Sequence, residues 1–263
     1  MPDLYTFVAH QSLVYANPFS RETMERACDV LAAECFTDGE AVKVIDFGAG
    51  FCELPIRLAE RFGCETVAVE LGARMAATAR ERIRDRLLDR AHPAMRGGVT
   101  VHEGDAGRFR AQIPESAFDC SVCIGSSHAL GGFPKTLDVL ARLTKPHGCV
   151  LIGEGFWERT PAPSDLVGTP LTIDECVPLS GLFDGLATAG LRPLWSVSAS
   201  TREWDEYEWA HHRALETFAL ARPDDPEAAK MLARGRRWRD GYVRGLRGLL
   251  GFCLILARRE SST

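Results

Sequence analysis

One stretch, residues 42–54, limits the folds open to this chain more than any other part of its sequence. It begins as an apolar, β-branched run typical of a buried parallel strand, and it then turns at Asp46-Phe47-Gly48-Ala49-Gly50. Apolar positions at helical spacing follow over residues 54–62. Glycines let a backbone pass close to a ligand, and a helix N-terminus offers unpaired N–H groups to it. The stretch therefore predicts a strand–turn–helix unit that binds a nucleotide.

A glutamate separates this turn from the dinucleotide-binding pattern Gly-x-Gly-x-x-Gly, because Glu53 stands where the third glycine would be. A pyrophosphate next to that carboxylate would be repelled. A ligand that carries a sulfonium and an amino acid group suits an acidic turn better. The turn from Asp46 to Gly50 resembles the first motif of class I S-adenosylmethionine-dependent methyltransferases. The resemblance implies that Asp46, Phe47, Gly48, Ala49 and Gly50 contact S-adenosylmethionine.

Length and charge restrict the class of protein. A chain of 263 residues is long enough for one large α/β domain or at most two small ones. The net charge of -5 argues against a nucleic-acid-binding face, and no apolar run reaches the roughly 20 residues of a membrane span. The N-terminus lacks the pattern of a secretory signal. We therefore expect a cytoplasmic protein without nucleic-acid or membrane partners; its oligomeric state is left open, a homodimer being one alternative.

The cysteines predict reduced thiols and no metal site. There are nine of them, an odd number, and most lie in apolar segments, which does not fit a disulfide framework. Cys120 and Cys123 form the one close pair, inside a predicted buried strand, and no second pair completes a tetrahedral zinc site. We expect core thiols.

Acidic residues end two further predicted strands. Glu70 ends the strand over residues 65–70, where an acid of a doubly wound sheet hydrogen-bonds a ribose; the alternative is a solvated strand end. Asp105 follows the strand over residues 99–103, with an ordinary Gly-Asp turn as the alternative. Carboxyl ends of parallel strands share one edge of the sheet. The sequence therefore predicts that Asp46, Glu70 and Asp105 meet there.

The methyltransferase resemblance extends motif by motif over residues 42–157. In that family the acid after the third strand accepts a hydrogen bond from the adenine amino group, and the next backbone N–H meets a ring nitrogen. The residues after the fourth strand border the methyl group. The contacts implied beyond the first turn are therefore Glu70, Leu71, Asp105, Ala106, Ile124 and Gly125.

The chain departs from the family pattern at two turns. Phe51-Cys52-Glu53 stands where glycine, or threonine with glycine, is commoner, and His147 replaces the first glycine of the usual Lys-Pro-Gly-Gly. After the fourth strand, Gly-Ser-Ser-His stands in place of the Asp/Asn-Pro-Pro-Tyr/Phe motif that points to amino groups of bases or glutamine. Methylation of nucleic-acid nitrogen is therefore not expected.

A histidine in the loop after the fourth strand is the candidate catalytic residue. Glycines flank His128 closely, so its imidazole can stand at the mouth of the site and deprotonate a hydroxyl or amine; the alternative is a loop anchor. Trp157 walls an apolar acceptor or belongs to the core. Trp204, Tyr207 and His211 share a helix face, which indicates either an acceptor wall or an aromatic core seam. The predicted acceptor contacts are Tyr15, His128, Glu154, Trp157, Trp204, Tyr207 and His211.

The predicted fold is a single α/β domain with a doubly wound, mostly parallel seven-stranded sheet of Rossmann-like methyltransferase type and an antiparallel last strand. Residues 1–40 form an N-terminal arm, or lid, and a helix capped by Ser20; residues 41–158 form the cofactor-binding core; residues 201–247 form a helical substrate cap inserted before the last strand. Asn17-Pro18-x-Ser20 and Glu203-Trp204-x-x-Tyr207 resemble a bacterial branch of stand-alone small-molecule methyltransferases.

The expected function is transfer of a methyl group from S-adenosylmethionine to O or N, with C as a further option, of a small, partly apolar acceptor, leaving S-adenosylhomocysteine. Two alternatives stay open. One is a non-catalytic module that binds S-adenosylmethionine, which would keep all the binding motifs. The other is a nicotinamide-dependent oxidoreductase, against which Glu53 and the antiparallel last strand weigh.

Overall fold

A mixed sheet forms the centre of the computed structural model, which describes residues 2–36, 41–88 and 97–261. Its strands are β1 (Lys43–Phe47), β2 (Glu65–Glu70), β3 (Gly98–Glu103), β4 (Phe118–Ile124), β5 (Thr144–Trp157), β6 (Val177–Pro178), β7 (Leu191–Ser198) and β8 (Leu250–Arg259). They lie in the order β3-β2-β1-β4-β5-β8-β7, with the two-residue β6 beside β5. Only β8 runs antiparallel to its neighbours, β5 and β7. The predicted doubly wound, mostly parallel sheet with an antiparallel last strand is confirmed.

Helices flank the sheet, and the sequence did not predict the first or the fifth of them. They are α1 (Pro2–His10), α2 (Arg21–Cys35), α3 (Glu53–Phe62), α4 (Ala73–Ile83), α5 (Ala106–Arg110), α6 (Phe133–Leu143), α7 (Leu179–Thr188), α8 (Thr201–Leu220) and α9 (Pro226–Gly241). The nine-residue α1 lies in the segment expected to be an arm. A helix this short is marginal alone, so its formation depends on tertiary packing. The helix α4 ends at Ile83, and the chain continues from there as a π-turn to Leu88.

Two hydrophobic clusters pack on the two faces of the sheet, because successive strand residues point to opposite sides. Ile45 and Ile152 meet α6 and α7 on one face, whereas Val44 and Leu151 meet α2 and α3 on the other. All nine cysteines are free, and burial raises the pKa of the Cys123 thiol. Such thiols are poor nucleophiles, as expected for core residues. No helix in the described ranges is long and apolar enough to cross a membrane.

A layer of three helices stands beside the carboxyl edge of the sheet. The chain inserts α8 and α9 between β7 and β8, and α1 from the other end of the chain packs against them through Tyr5, Val8, Leu215 and Met231. The helix α1 therefore packs as part of this layer.

One carboxylate joins this layer to the N-terminal segment. Glu203 Oε1 accepts from the Ser20 N–H at 2.9 Å and from Thr23 Oγ1 at 2.7 Å, while its Oε2 accepts from the Ser200 N–H at 2.9 Å. Ser20 is the N-cap of α2, as predicted, and Ser200 is the N-cap of α8. The two segments that resemble the bacterial methyltransferase branch thus form one contact across 183 residues of chain.

We expect Glu203→Gln to destabilise the protein by ~1–3 kcal/mol at pH 7, because hydrogen bonds to a charged acceptor are lost. Partial burial alone would raise the pKa of Glu203, but the N–H groups of Ser20 and Ser200, with the Thr23 and Ser20 hydroxyls, lower it to about 2. The unfolded pKa is about 4.3. The stabilisation is therefore present above that pH and disappears as the pH falls towards about 2.

Urea denaturation at pH 7 and pH 3 measures the difference in free energy of unfolding between Glu203→Gln and the wild type. Glu206→Gln is the matched control, since Glu206 is an exposed residue of the same helix, paired only with Arg202 in the described part of the chain. Equal stability of Glu203→Gln and the wild type at pH 7 would contradict the assigned role.

Candidate active site

The glycine turn after β1 has a conformation that its neighbours impose. Gly48 and Gly50 have φ of 72° and 56°, in the left-handed region that glycine adopts at no steric cost. A Cβ at Gly48 would lie 2.3 Å from the Cβ of Ser126, which follows β4. The Gly48 and Ala49 N–H groups donate to the Val69 carbonyl at 2.9 and 3.1 Å. The turn is therefore held between β2 and the loop after β4.

Both departures from the family pattern keep a glycine-like backbone. Cys52, which precedes α3, has φ of 59°, and His147 in the turn before the main part of β5 has φ of 65°. Non-glycine residues occupy this region infrequently and at some cost. Cys52 and His147 therefore adopt the left-handed backbone conformation that a glycine would have at these turns. The strand β5 follows the second turn, as predicted.

Glu70 holds the ends of β1 and β2 together. Its carboxylate is 8% exposed and accepts from the Gly50 N–H at 2.8 Å and from the Gly72 N–H at 2.7 Å. The residue is thus not a solvated strand end.

Asp46 lies buried beside Glu70. It is 6% exposed, and no group in the described part of the chain donates a hydrogen bond to its carboxyl. Burial, and to a smaller degree the charge of Glu70, raises the pKa of Asp46 to about 8. Two carboxyls that repel one another in a buried site favour a positively charged ligand between or next to them.

A short segment after α1 lies over this acid pair. Residues 14–17, the covering segment, line a cavity of ≈ 50 Å³ together with Asp46, Gly48 and Ile124. Small-molecule sites usually measure about 300–1,000 Å³. The cavity under the covering segment is therefore too small to hold a whole nucleoside.

Glu53, at the start of α3, also lines this cavity, but its charge is compensated. Arg57 Nε and an Arg86 guanidinium nitrogen contact its carboxylate at 3.0 and 2.7 Å. The repulsion of phosphate that the sequence predicts from Glu53 is therefore weakened in the fold.

The other predicted cofactor residues lie at the same edge. Glu70 pairs in register with Glu103, so the turn that carries Asp105 is next to the turn that carries Leu71. Asp105 is exposed and caps α5 by accepting from the Arg108 N–H at 2.8 Å, which is the local role that a turn residue would have. Leu71 is 70% exposed, an unusual position for leucine.

His128 and Glu154 are neighbours at the ends of β4 and β5. His128 lies exposed in a 3₁₀ turn, Ser127–Leu130. Burial raises the pKa of Glu154, while Ser127, the Gly155 N–H and His128 partly counteract this. Within the described chain, the Oε2 atom of Glu154 is buried without a hydrogen-bond partner.

An aromatic wall, Tyr15, Phe19, Trp204 and Phe252, borders the site on the α2 side of the sheet. The Phe252 ring lies 5.6 Å from that of Phe19 and 6.4 Å from that of Trp204. The Tyr15 hydroxyl and Trp204 Nε1 are buried and have no partner among the described residues. Sequence reasoning missed Phe19 and Phe252, since Phe252 arrives only through the pairing of β8 with Gly155 of β5.

Three of the predicted acceptor residues lie elsewhere. Trp157 is 4% exposed and donates from Nε1 to the Ile173 carbonyl at 2.8 Å, in a core cluster with Tyr242. The Tyr207 hydroxyl bonds His10 Nε2 at 2.9 Å, and the His211 ring packs on His10 and Tyr5. The geometry favours a core position for Trp157. It favours a position in the packed interface between α1 and α8 for Tyr207 and His211. No group of three or more histidine, cysteine or acidic side chains in the described ranges is arranged to hold a metal ion.

We expect Asp46→Asn to stabilise the free protein by more than ~1.4 kcal/mol at pH 8, the value of one pKa unit. The pKa of Asp46 rises from 3.8 to about 8 on folding, so wild-type stability declines as the pH rises between these values. The asparagine amide does not ionise, so the variant lacks this dependence of stability on pH. Its stability therefore exceeds that of the wild type least near pH 4.

Urea denaturation of both proteins at pH 4 and pH 8 tests this, with Asp138→Asn, at an exposed position on α6, as the control. If the stability difference between Asp46→Asn and the wild type does not increase with pH, Asp46 is not a buried carboxyl with a raised pKa.

Comparison with known proteins agrees with this geometry. Residues 44–148 match the family described as methyltransferase domain. The uncharacterized protein YjhP of Escherichia coli K12 is 26% identical over 237 residues, which is 89% of this chain and 88% of that protein.

Two solved structures share the fold. A S-adenosylmethionine-dependent methyltransferase from Geobacter sulfurreducens, in complex with S-adenosylhomocysteine, has a TM-score of 0.82 at 23% identity, over 97% of both chains. One from Thiobacillus denitrificans, also in complex with S-adenosylhomocysteine, has a TM-score of 0.80 at 23% identity, over 95% of this chain and 96% of that one. The matched family spans β1 to the beginning of β5, including the turns that carry Asp46, Glu70 and Asp105. Residues 44–148 therefore carry a methyltransferase domain, within a fold shared with S-adenosylmethionine-dependent methyltransferases.

Proposed function

We propose that this protein transfers the methyl group of S-adenosylmethionine to an O or N atom, with C as a further option, of a small, partly apolar molecule. One observation carries the proposal. The buried acid pair and the aromatic wall stand at the same edge of the sheet, and polar atoms of the wall have no partner in the described chain. The first feature suits a cationic cofactor and the second suits an acceptor that is apolar with a polar group.

The acid pair and the glycine turn are proposed to hold the methionine and ribose parts of the cofactor. Asp46 would face the positive charge of the amino acid group or sulfonium, since a cation removes the repulsion from Glu70. Glu70 would accept from the ribose hydroxyls, and the turn from Phe47 to Gly50 would contact the cofactor through its backbone.

The neighbouring turns are proposed to hold the adenine and the methyl region. The free capacity of the exposed Asp105 carboxylate suits the adenine amino group, and the Ala106 N–H suits a ring nitrogen. The exposed Leu71 side chain offers an apolar surface to the base. Ile124 and Gly125, at the end of β4, would border the methyl group.

The protein's own chemical contribution is positioning and proton removal. S-adenosylmethionine supplies a methyl group on a positively charged sulfur when it is bound. His128, exposed in the loop after β4, would accept a proton from the acceptor hydroxyl or amine. The nearby Glu154 carboxylate would stabilise the resulting imidazolium.

The inserted layer is proposed to shape the acceptor site. Trp204 at the start of α8 and Tyr15 in the covering segment would direct their unpartnered N–H and hydroxyl groups to the acceptor, with residues 201–247 as a cap on a core of residues 41–158. Nine free thiols favour a reducing compartment, so we place the protein in the cytoplasm. The net charge of -5 argues against nucleic acid as the acceptor.

Cofactor binding is expected to weaken at least about tenfold in Asp46→Ala and in Glu70→Ala, because each loses hydrogen bonds to a charged or polar ligand group. Calorimetric titration with S-adenosylmethionine, S-adenosylhomocysteine and NAD measures this. Glu103→Gln is the control, as that acid ends β3, is half-exposed and pairs with Arg80. Unchanged affinity in both alanine variants, with folding verified by thermal unfolding, would refute the site.

Turnover is expected in a screen of small hydroxyl and amine compounds that monitors S-adenosylhomocysteine formation. In His128→Ala and His128→Gln the kcat should fall ~10²–10⁴-fold while the affinity for S-adenosylmethionine is kept, because only proton removal is lost. An unchanged kcat in both variants would exclude His128 as the general base. Tight cofactor binding without turnover on any compound would favour the non-catalytic module.

A further inference from the structure

A second cavity lies outside the proposed active site, between α1, α8 and the start of α4. Its volume is ≈ 630 Å³, within the range of about 300–1,000 Å³ usual for small-molecule sites. Apolar side chains from two helices form its walls: Leu4, Phe7, Val8, Ala214, Phe218 and Ala221. Ala214 follows Trp204 by ten residues on α8, or about 15 Å at the helical rise, so the cavity is separate from the aromatic wall.

The polar part of the lining is positively charged. Three arginines border the cavity: Arg213 within α8, Arg222 just after that helix and Arg74 of α4. The described lining contains no aspartate or glutamate. The Arg213 guanidinium is exposed and makes no hydrogen bond or ion pair in the described part of the chain. Arg222 lies 4.0 Å from the centre of the Phe218 ring, where an apolar surface and a cation meet. In a chain of net charge -5, the side chains of Arg213 and Arg222, which make no ion pair in the described part of the chain, indicate that the cavity attracts an anion.

We propose that this cavity binds a small amphipathic anion, an apolar body that ends in one carboxylate or phosphate. The apolar body would lie between α1 and α8, and the anionic group would pair with Arg213 and Arg222. Guanidinium groups match the geometry of both acids through paired N–H donors. The proposal is independent of the methyl acceptor, because the site is formed by other residues.

The cavity also lies next to the covering segment in the chain. Gln11 and Ser12 line it, and the covering segment that lies over Asp46 and the glycine turn begins two residues later. An occupant therefore contacts the chain immediately before the covering segment.

Calorimetric titration of the full-length protein tests the proposal. The probes are decanoate and decyl phosphate, each below its micelle concentration, with decanol and decyltrimethylammonium as uncharged and cationic comparators. We expect saturable binding of one molecule of decanoate or decyl phosphate per chain, and the tighter of the two identifies the acid group. Decyltrimethylammonium should not bind.

Two variants separate charge from shape. Arg213→Glu with Arg222→Glu should weaken binding of the anion at least about tenfold, and Ala214→Trp should abolish it by filling the cavity. Arg237→Glu, at an exposed position on α9 that does not line the cavity, is the control and should leave the affinity unchanged. Thermal unfolding verifies that each variant is folded.

Three results would overturn the proposal. The first is the absence of saturable binding of either anion to the wild type. The second is equal binding of the cationic comparator, or unchanged affinity in both cavity variants. The third is a concentration-dependent dimer that Ala214→Trp abolishes, since a second copy of the chain would then occupy the cavity.

Discussion

The buried carboxylate of Glu70 is the interaction on which the architecture of the site depends. By accepting from the backbone of Gly50 and of Gly72, it joins the turns that follow two adjacent parallel strands. It also places a negative charge beside Asp46, whose pKa rises to about 8 as a result of burial and of this neighbour. At neutral pH the Asp46 carboxyl is therefore mostly protonated in the free protein, and a cation bound beside it would favour its ionised form.

A second carboxylate determines what lies above this site. Glu203 binds the start of α2 and the start of α8 at once, and α1 packs on α8 and α9. The cover of the cleft is consequently assembled from the two ends of the chain. Since the covering segment lies between α1 and α2, its movement is limited at both ends, by α8 packing on one side and by Glu203 on the other.

Local patterns predicted most of the fold and the edge of the sheet at which the candidate cofactor residues lie. Strands with apolar runs, the Gly48–Gly50 turn and the strand-end acid Glu70 each depend on residues close together in sequence, and the parallel sheet then places their ends at one edge. Three of the candidate acceptor residues lie away from this edge. Trp157, Tyr207 and His211 have the spacing of a pocket wall, but their polar atoms or rings meet Ile173, His10 and Tyr5 in packed interiors. Helical periodicity identifies a buried face without saying what covers it.

The sequence by itself determined the order of strands and helices, the left-handed glycine turn and the acids at the strand ends, because these follow from side-chain periodicity and backbone sterics within short windows. Only the tertiary structure decided that α1 forms, that Phe252 reaches the site beside Gly155, and that Glu203 meets Ser20. Each of these depends on contacts between segments far apart in the chain. Their free energy comes from burial and hydrogen bonds that exist only after the sheet has assembled.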